Sequence, residues 1–491
     1  MKKIIFQFLF LIYSAILAQN AISRDTVKYE AEAAKYDSLL KQSDINTSSG
    51  EYLKMGNKGS IVWEVNVDAD SWYALRFRYK NSGSENEEYI VRNGYKFAVG
   101  FPGSKNWNLF DIPTFLKRGL NKIELLKSWG NIDLDYLQIF QIHLNPELTP
   151  GKNIFYKEFP RDLSIKVNRF GSQILKVICN KSEIPFSISE YPFQEDAVNI
   201  KFTAETFSQL PIGIHDIQII FNNGNTLHHE IIIAEKSDKH GITIIAPYVE
   251  HGKSIIVILP TGKTLLIDCG KDWVRDSLII PFINRNRIEK INYFFLTHYH
   301  EDHDSGDKGE KIKMLFNVDH FYDYKTFHSG DSLLVEGVCI KILNSYDDGD
   351  DENTRSLSLK LKYNGFIYVD GGDTYGINQQ KILAKFPGDI KADVFAANHH
   401  FHGSANVDYL RAMNPSLVLI QSQEAIYARS TYMIDFLKNV KGYLNLINQK
   451  KIEGLAALEV GTIVIRVNDK NNFEFETYSD YKNCIIPYIQ K

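Results

Sequence analysis

Residues 297–303 read T-H-Y-H-E-D-H, so three histidines and an aspartate fall within six positions. Neutral imidazole and carboxylate are the ligands preferred by borderline divalent ions such as Zn²⁺. In an extended or loop backbone, side chains at i and i+2 share a side, so His298 and His300 can grip one ion together. Asp302 and His303 then face a neighbouring position, where a second ion could sit. A paired surface histidine is commonplace, but four ligand-type residues at this spacing point to a metal centre. The element that must position them is the apolar, aromatic run at residues 291–296, which reads as a buried strand ending at the motif.

The H-x-H-x-D-H pattern resembles the signature of the metallo-β-lactamase superfamily, and other segments follow in that family's order. Residues 254–270 (SIIVILPTGKTLLIDCG) resemble its opening β-hairpin, ending in Asp-x-Gly at Asp268. Residues 366–373 (FIYVDGGD) are similar to the strand ending in a metal-bridging aspartate, here Asp373. Residues 393–404 (DVFAANHHFHGS) resemble the strand and loop that carry the last histidine ligand. The likeness spans roughly residues 240–480 and implies a four-layer αβ/βα sandwich. Within the superfamily it is closest to the nuclease-like branch found at the end of bacterial competence proteins, through residues 276–303 and 353–373 (NTRSLSLKLKYNGFIYVDGGD). The branch's H-H-G-S loop is lengthened here to His399-His400-Phe401-His402-Gly403-Ser404; His399 is the expected ligand, with His400 and His402 open. Asp304-Ser305-Gly306-Asp307 replaces the usual Gly-Gly. No middle histidine ligand is evident, since His320 and His328 read as ordinary loop residues.

The resemblance implies that Asp373 bridges two ions, with His298 and His300 on one and Asp302, His303 and His399 on the other. An open divalent site lowers the pKa of a bound water and so provides a hydroxide nucleophile near neutral pH. Zn²⁺ is the expected metal, as one or two ions, with Mn²⁺ as an alternative. Asp302 and Asp268 are the expected catalytic carboxylates, Asp268 orienting a ligand histidine from behind; its plainer reading is a turn aspartate before Gly270. Asn353 and Ser404 read more readily as loop structure than as substrate contacts. Cys269, within an apolar run, reads as a buried structural thiol.

Lys2 and Lys3 precede an apolar stretch over residues 4–17, followed by Ala18 and Gln19. This is the pattern of a signal peptide (1–18) cleaved near Ala18, which implies export to a periplasm or beyond. No other segment approaches the roughly eighteen apolar residues of a membrane span. Cys179, Cys269, Cys339 and Cys484 are widely spaced and imply no disulfide framework. With 56 basic and 60 acidic residues, the chain has no global field that would attract polyanions. Its 491 residues predict a multidomain protein.

The first half reads as all-β: alternating runs such as residues 61–67 (IVWEVNV) and 73–79 (YALRFRY) are separated by Asn, Gly, Asp and Ser clusters. Residues 27–145 resemble carbohydrate-binding modules of families 6 and 35, through Tyr29-Glu30-Ala31-Glu32, residues 59–67 with Trp72-Tyr73, and residues 119–139. The resemblance implies a structural Ca²⁺ on Glu30, Glu32 and Asp135, whose hard oxygens suit that ion. It also implies a sugar site using Asn131 as the amide and Tyr52, Trp107 and Trp129 as aromatic contacts. Residues 150–236 read as an immunoglobulin-like β spacer carrying no chemistry; of His228 and His229, one should simply face out.

The expected protein is therefore an exported metal-dependent hydrolase, acting on a phosphodiester or ester-type bond of a glycan-associated substrate and targeted by its binding module. The alternatives are an extracellular nuclease or phosphodiesterase with nucleic acid as substrate, and a non-catalytic glycan-binding surface protein with a degenerate hydrolase domain. A β-lactam substrate and a protein partner are not implied.

Overall fold

The computed structural model describes residues 26–82, 86–101, 104–148, 153–157, 160–191, 196–235, 240–249, 252–401, 407–422, 453–468, 472–478, 481–486 and 489. The signal-peptide segment, His402 and Ser404 lie outside them, as does the side chain of Trp129. The chain is a multidomain, mostly β protein. Among the described residues no helix is long and apolar enough to cross a membrane.

The N-terminal unit is a sandwich of two sheets. One runs Leu40–Ser43, Glu51–Met55, Ile132–Gln141, Ser71–Asn81, Asn108–Leu116, with Val27–Glu30 also paired along Ile132–Gln141; the other runs Lys35–Asp37, Ser60–Val67, Gly119–Trp129, Asn86–Arg92, Tyr95–Phe101. Alternation explains the layering. In Ser60–Val67 the residues Ile61, Trp63, Val65 and Val67 are buried while Glu64 and Asn66 face water. Each such aliphatic side chain contributes about 1.5–3 kcal/mol. The register slips between Leu134 and Tyr136, a bulge that breaks the alternation and leaves Asp135 buried.

A second two-sheet sandwich follows. Its sheets run Glu147–Leu148, Leu163–Asn168, Ala197–Phe202, Ser187–Glu190 and Asn153–Tyr156, Thr226–Ala234, Gly213–Phe221, Ile174–Cys179, Ser182–Glu183. His228 is exposed and His229 buried, as strand alternation requires. Trp72 of the first sandwich packs edge-on against Phe170 of the second. At the far side Tyr156 donates to Glu474 at 2.6 Å, and Arg161 reaches Glu476 at 3.3 Å.

The C-terminal half consists of two seven-stranded sheets face to face. The first runs His320–Asp323, Tyr293–Leu296, Thr264–Ile267, Ile255–Ile258, His240–Ala246, Thr462–Asn468, Phe473–Tyr478. The second runs Ser332–Val335, Val338–Asn344, Ser358–Tyr363, Phe366–Asp370, Val394–Ala396, Leu417–Ile420, Glu453–Ala456. Val257, Ile267 and Phe295 from one sheet and Leu359, Tyr368 and Leu419 from the other share a single core. Helical segments cover the outer faces: Ile280–Arg285 packs through Phe282 and Ile283 onto Phe294 and Leu266, and Gly376–Lys385 and Val407–Met413 pack through Ile382 and Tyr409 near Val369 and Phe395. Strands covered on both faces are apolar throughout, which is why Thr264–Ile267 and Tyr293–Leu296 carry no alternation. Thr264–Ile267, Tyr293–Leu296 and His320–Asp323 are mutually parallel, as are Phe366–Asp370, Val394–Ala396 and Leu417–Ile420. Parallel strands send all their carboxyl ends to one edge, and that edge collects the ligand-type residues.

Candidate metal centre

Asp268, residues 298–303, Asp373 and His399-His400 each follow the end of one of these parallel strands. Two groups of side chains result. His298, His300 and Asp373 form one, and Asp302, His303 and His400 the other, each with its ligand atoms within 4.8 Å of one another. Nε2 of His298 is 3.1 Å from Nδ1 of His300 and 3.6 Å from Asp373. Nε2 of His400 is 3.3 Å from Nε2 of His303 and 3.2 Å from Asp302. Asp373 lies between the groups, with Oδ1 3.2 Å from His303 Nε2 and Oδ2 3.8 Å from His400 Nε2.

The far nitrogens fix the ring orientations. Nδ1 of His303 is 2.8 Å from the Asp268 carboxylate, and Nδ1 of His400 is 2.8 Å from the Gln421 carbonyl oxygen. Both Nδ1 atoms face oxygen partners, so Nε2 is the nitrogen that each ring turns inward. Thr297 Oγ1 donates to Asp268 at 2.8 Å and can therefore accept from Nδ1 of His298, 3.1 Å away. Ring nitrogens this close call for a shared cation, a metal ion or a proton, between them. Asp373 Oδ1 agrees: it is buried and accepts no hydrogen bond of normal geometry, although His303 is near. This donor set fits one or two divalent ions.

Without an ion, charge is balanced by protons. Burial pulls the His303 imidazole down, but the Asp373 and Asp268 carboxylates outweigh it and the net shift is well upward. Burial, with His303 beside it, drives His298 well below the usual range. Burial acts to raise Asp302 and Asp373, yet the histidines around them hold both carboxylates far down. Protons and metal thus compete for the same nitrogens.

The structure departs from expectation at the histidine loop. His399 stands outside both groups, with Nε2 3.5 Å from the Asn353 amide and its ring beside Tyr375. His399 and His400 both adopt left-handed backbone, at φ 45° and 53°. That double turn aims His400, not His399, at Asp302 and His303. Of the loop histidines, His400 is therefore the one grouped with Asp302 and His303, His399 is in neither group, and His402 lies outside the described residues. Asp268 is fully buried and at φ 57°, and its carboxylate contacts Thr297 as well as His303. Cys269 is buried, its thiol 3.3 Å from the His303 carbonyl, and burial pushes its pKa up. His320 stacks on Tyr293 and His328 pairs with Asp347, so neither supplies a middle ligand. Sequence reading missed Gln421 and the role of Ser356, whose hydroxyl accepts from the Asp373 amide at 3.0 Å. Gln421 acts on His400 through its carbonyl, which any residue would offer. Ser356 stood in a quoted segment, but nothing in its type disclosed the contact.

In the N-terminal sandwich, Glu30, Glu32 and Asp135 gather around Ser48 and Ser49. Ser48 Oγ donates to Glu30 at 2.5 Å, Ser48 N to Asp135 at 3.1 Å, and Ser49 Oγ to Glu32. Arg78 and Lys28 already offset part of this charge, Arg78 on Asp135 and Lys28 on Glu30. Tyr52 and Trp107 meet edge to face at 5.4 Å, with the Lys80 ammonium 4.6 and 4.5 Å from the two rings. Asn131 is exposed, and its carbonyl accepts from Asn86 at 3.2 Å.

Residues 249–309, which contain Asp268 and the whole H-x-H-x-D-H run, match the family model of the metallo-β-lactamase superfamily. The C-terminal half holds a metallo-β-lactamase domain. Among similar curated proteins, ComE operon protein 3 of Bacillus subtilis (strain 168) is 24% identical over 262 residues, 47% of this chain and 32% of the relative. Competence protein ComA of Neisseria gonorrhoeae is 22% identical over 180 residues, 35% of this chain and 26% of the relative. The matches thus span a third or less of those proteins. Similar solved structures include a family 35 carbohydrate binding module from Clostridium thermocellum, 26% identical with a TM-score of 0.23, covering 24% of this chain and 98% of that one. Another is the C-terminal CBM6 of LamC, a laminarinase from Zobellia galactanivorans, 17% identical with a TM-score of 0.22, covering 24% of this chain and all of that one. The matched residues include His298, His300, Asp302 and His303 of the two candidate groups; these neighbours are carbohydrate-binding modules.

Proposed function

We propose that the protein is an exported metallohydrolase that cleaves a phosphodiester or ester-type bond in a glycan-associated substrate, brought to it by its N-terminal module. The observation that carries this reading is the approach of His303 Nε2 to His400 Nε2, 3.3 Å apart, beside the buried Asp373 Oδ1 that has no hydrogen-bond partner. His298, His300 and Asp373 would hold one ion, and Asp302, His303, His400 and Asp373 the other; Zn²⁺ suits this donor set. Ions held there supply Lewis-acid activation of water and of the scissile group. The residues keep the imidazoles in one orientation and the carboxylates ionised. Glu30, Glu32 and Asp135 are the candidate Ca²⁺ ligands, and Asn131, Tyr52, Trp107 and Trp129 the candidate sugar contacts. Tethering to glycan raises the local concentration of target bonds.

The test is the metal content of purified protein together with hydrolysis of bis(p-nitrophenyl) phosphate, for wild type and Asp302→Ala. Two ions per chain, with metal and activity lost together in the variant, supports a binuclear phosphodiesterase-type site. Protein that takes up no divalent ion refutes it and leaves a glycan-binding protein. The two competence relatives favour a second reading, an extracellular nuclease; cleavage of DNA in preference to phosphorylated glycan separates it from the first.

A further inference from the structure

One short turn touches every ligand-bearing segment, yet none of its side chains belongs to either ligand group. It is Gly252-Lys253-Ser254, just before the strand Ile255–Ile258. The Lys253 amide donates to the Asp302 carbonyl at 3.0 Å, anchoring the motif that carries four ligands. The Lys253 ammonium is 2.5 Å from Asp370, and Asp370 accepts from the Gly372 amide at 3.0 Å, immediately before Asp373. Ser254 is bound on both backbone atoms by the Gln421 side chain, at 3.1 and 2.9 Å, and the carbonyl of Gln421 fixes His400. Ser254 Oγ donates to the Asp268 carbonyl at 3.2 Å, one residue from the carboxylate that holds His303. The approach is close: at Gly252, φ 103°, a Cβ would come within 2.0 Å of the Asp302 carbonyl oxygen.

Lys253 is 3% exposed and Asp370 is fully buried. A buried ion pair contributes little net stability over apolar residues of the same volume, so stability alone gives no reason for a charge here. Its geometry gives one. The lysine is bonded at its amide to the short helix Glu301–Asp304, which carries Asp302 and His303, and at its ammonium to Asp370, where the turn to Asp373 begins. The distance between those segments sets where Asp373 stands relative to Asp302 and His303.

We propose that Lys253 is a positioning residue for the metal centre, gauging the Asp302–His303 segment against the Asp373 turn through its bond to Asp370. This rests on the reading of the two side-chain groups as metal sites. The experiment uses full-length protein loaded with Co²⁺, read by its visible absorption spectrum and by competition against a chromophoric chelator. Lys253→Met alone leaves Asp370 uncompensated, so the deciding variant is Lys253→Met with Asp370→Asn, which leaves no buried charge. We expect this double variant to unfold near the wild-type temperature, to bind the second Co²⁺ at least about tenfold more weakly, and to show an altered ligand-field spectrum. A double variant that binds two ions with wild-type affinity and spectrum overturns the positioning role and leaves the metal reading intact. A wild-type protein that binds no Co²⁺ overturns both.

Discussion

Nδ1 of His303 lies 2.8 Å from the carboxylate of Asp268, and both side chains are wholly buried. The same carboxylate holds the Thr297 amide and hydroxyl, so it has no freedom to turn away. It fixes which ring nitrogen of His303 faces the Asp302 group. Asp268→Asn keeps the shape but places amide hydrogens against those donors. We expect metal at the Asp302–His303–His400 position to weaken by about 10–100-fold, measured by chelator competition. Unchanged affinity would remove Asp268 from the positioning role.

His400 and His399 are neighbours with different surroundings, so single substitutions distinguish them. His400→Ala should leave about one ion bound per chain by elemental analysis, and His399→Ala both ions. The opposite result would return the ligand role to His399.

Removing metal should also lower thermal stability. An ion bound at a thousand times its Kd stabilises the folded state by about 4 kcal/mol. For a domain of this size that corresponds to a fall on the order of 10 °C after chelation, reversed by adding Zn²⁺. Scanning calorimetry with and without chelator reads this directly, and identical curves would contradict a tightly held ion.

A pH effect is expected far from the candidate metal centre, in the middle sandwich. Burial lowers His229 to about 4, with Asp216 opposing only in part, and Nε2 is 3.0 Å from the Asn153 amide. An unfolded histidine titrates near 6.5, so between these values the unfolded chain holds a proton that the folded one refuses. Stability is therefore full above about pH 6.5 and falls as the pH drops toward 4. The loss between pH 7 and pH 5 should be about 2 kcal/mol in urea unfolding. His229→Gln should flatten that dependence; a slope unaffected by the substitution would assign it to other groups.

In the N-terminal sandwich the ring faces of Tyr52 and Trp107 are shared with Lys80, whereas Asn131 is open to solvent. Asn131→Ala should abolish retardation in glycan-containing native gels, while Tyr52→Ala should chiefly lower the melting temperature. Retardation lost only with Tyr52 would move the sugar site to the aromatic pair.

Much of this was legible because local chemistry and tertiary placement coincide where a strand ends. His298, His300, Asp302 and His303 fall within six residues, so their spacing alone pointed to a candidate centre. Asp373 and Asp268 were legible through the resemblance of their segments, each of which follows an apolar strand, Phe366–Asp370 and Thr264–Ile267. The histidine loop was not. Whether His399 or His400 turns inward depends on two successive left-handed residues, and neither is a glycine that would have signalled the turn. Lys253 and Gln421 were beyond reach for another reason: each acts partly through backbone atoms, which leave no trace in residue type. The carboxylates of the N-terminal sandwich were foreseen together, but Arg78, brought onto Asp135 by sheet pairing, was not.

The contact between the middle sandwich and the C-terminal half has a practical consequence. Phe473–Tyr478 is the last strand of its sheet, and Asn153–Tyr156 packs beside it. Arg466, with no exposure at all, sits over the Tyr156 ring and between Glu474 and Glu476. A fragment cut near residue 240 would bare that guanidinium and its acids together with an open sheet border, a ready template for self-association. Poor behaviour of such a fragment would report on a missing cover, and the whole chain is the proper starting material for any assay of activity.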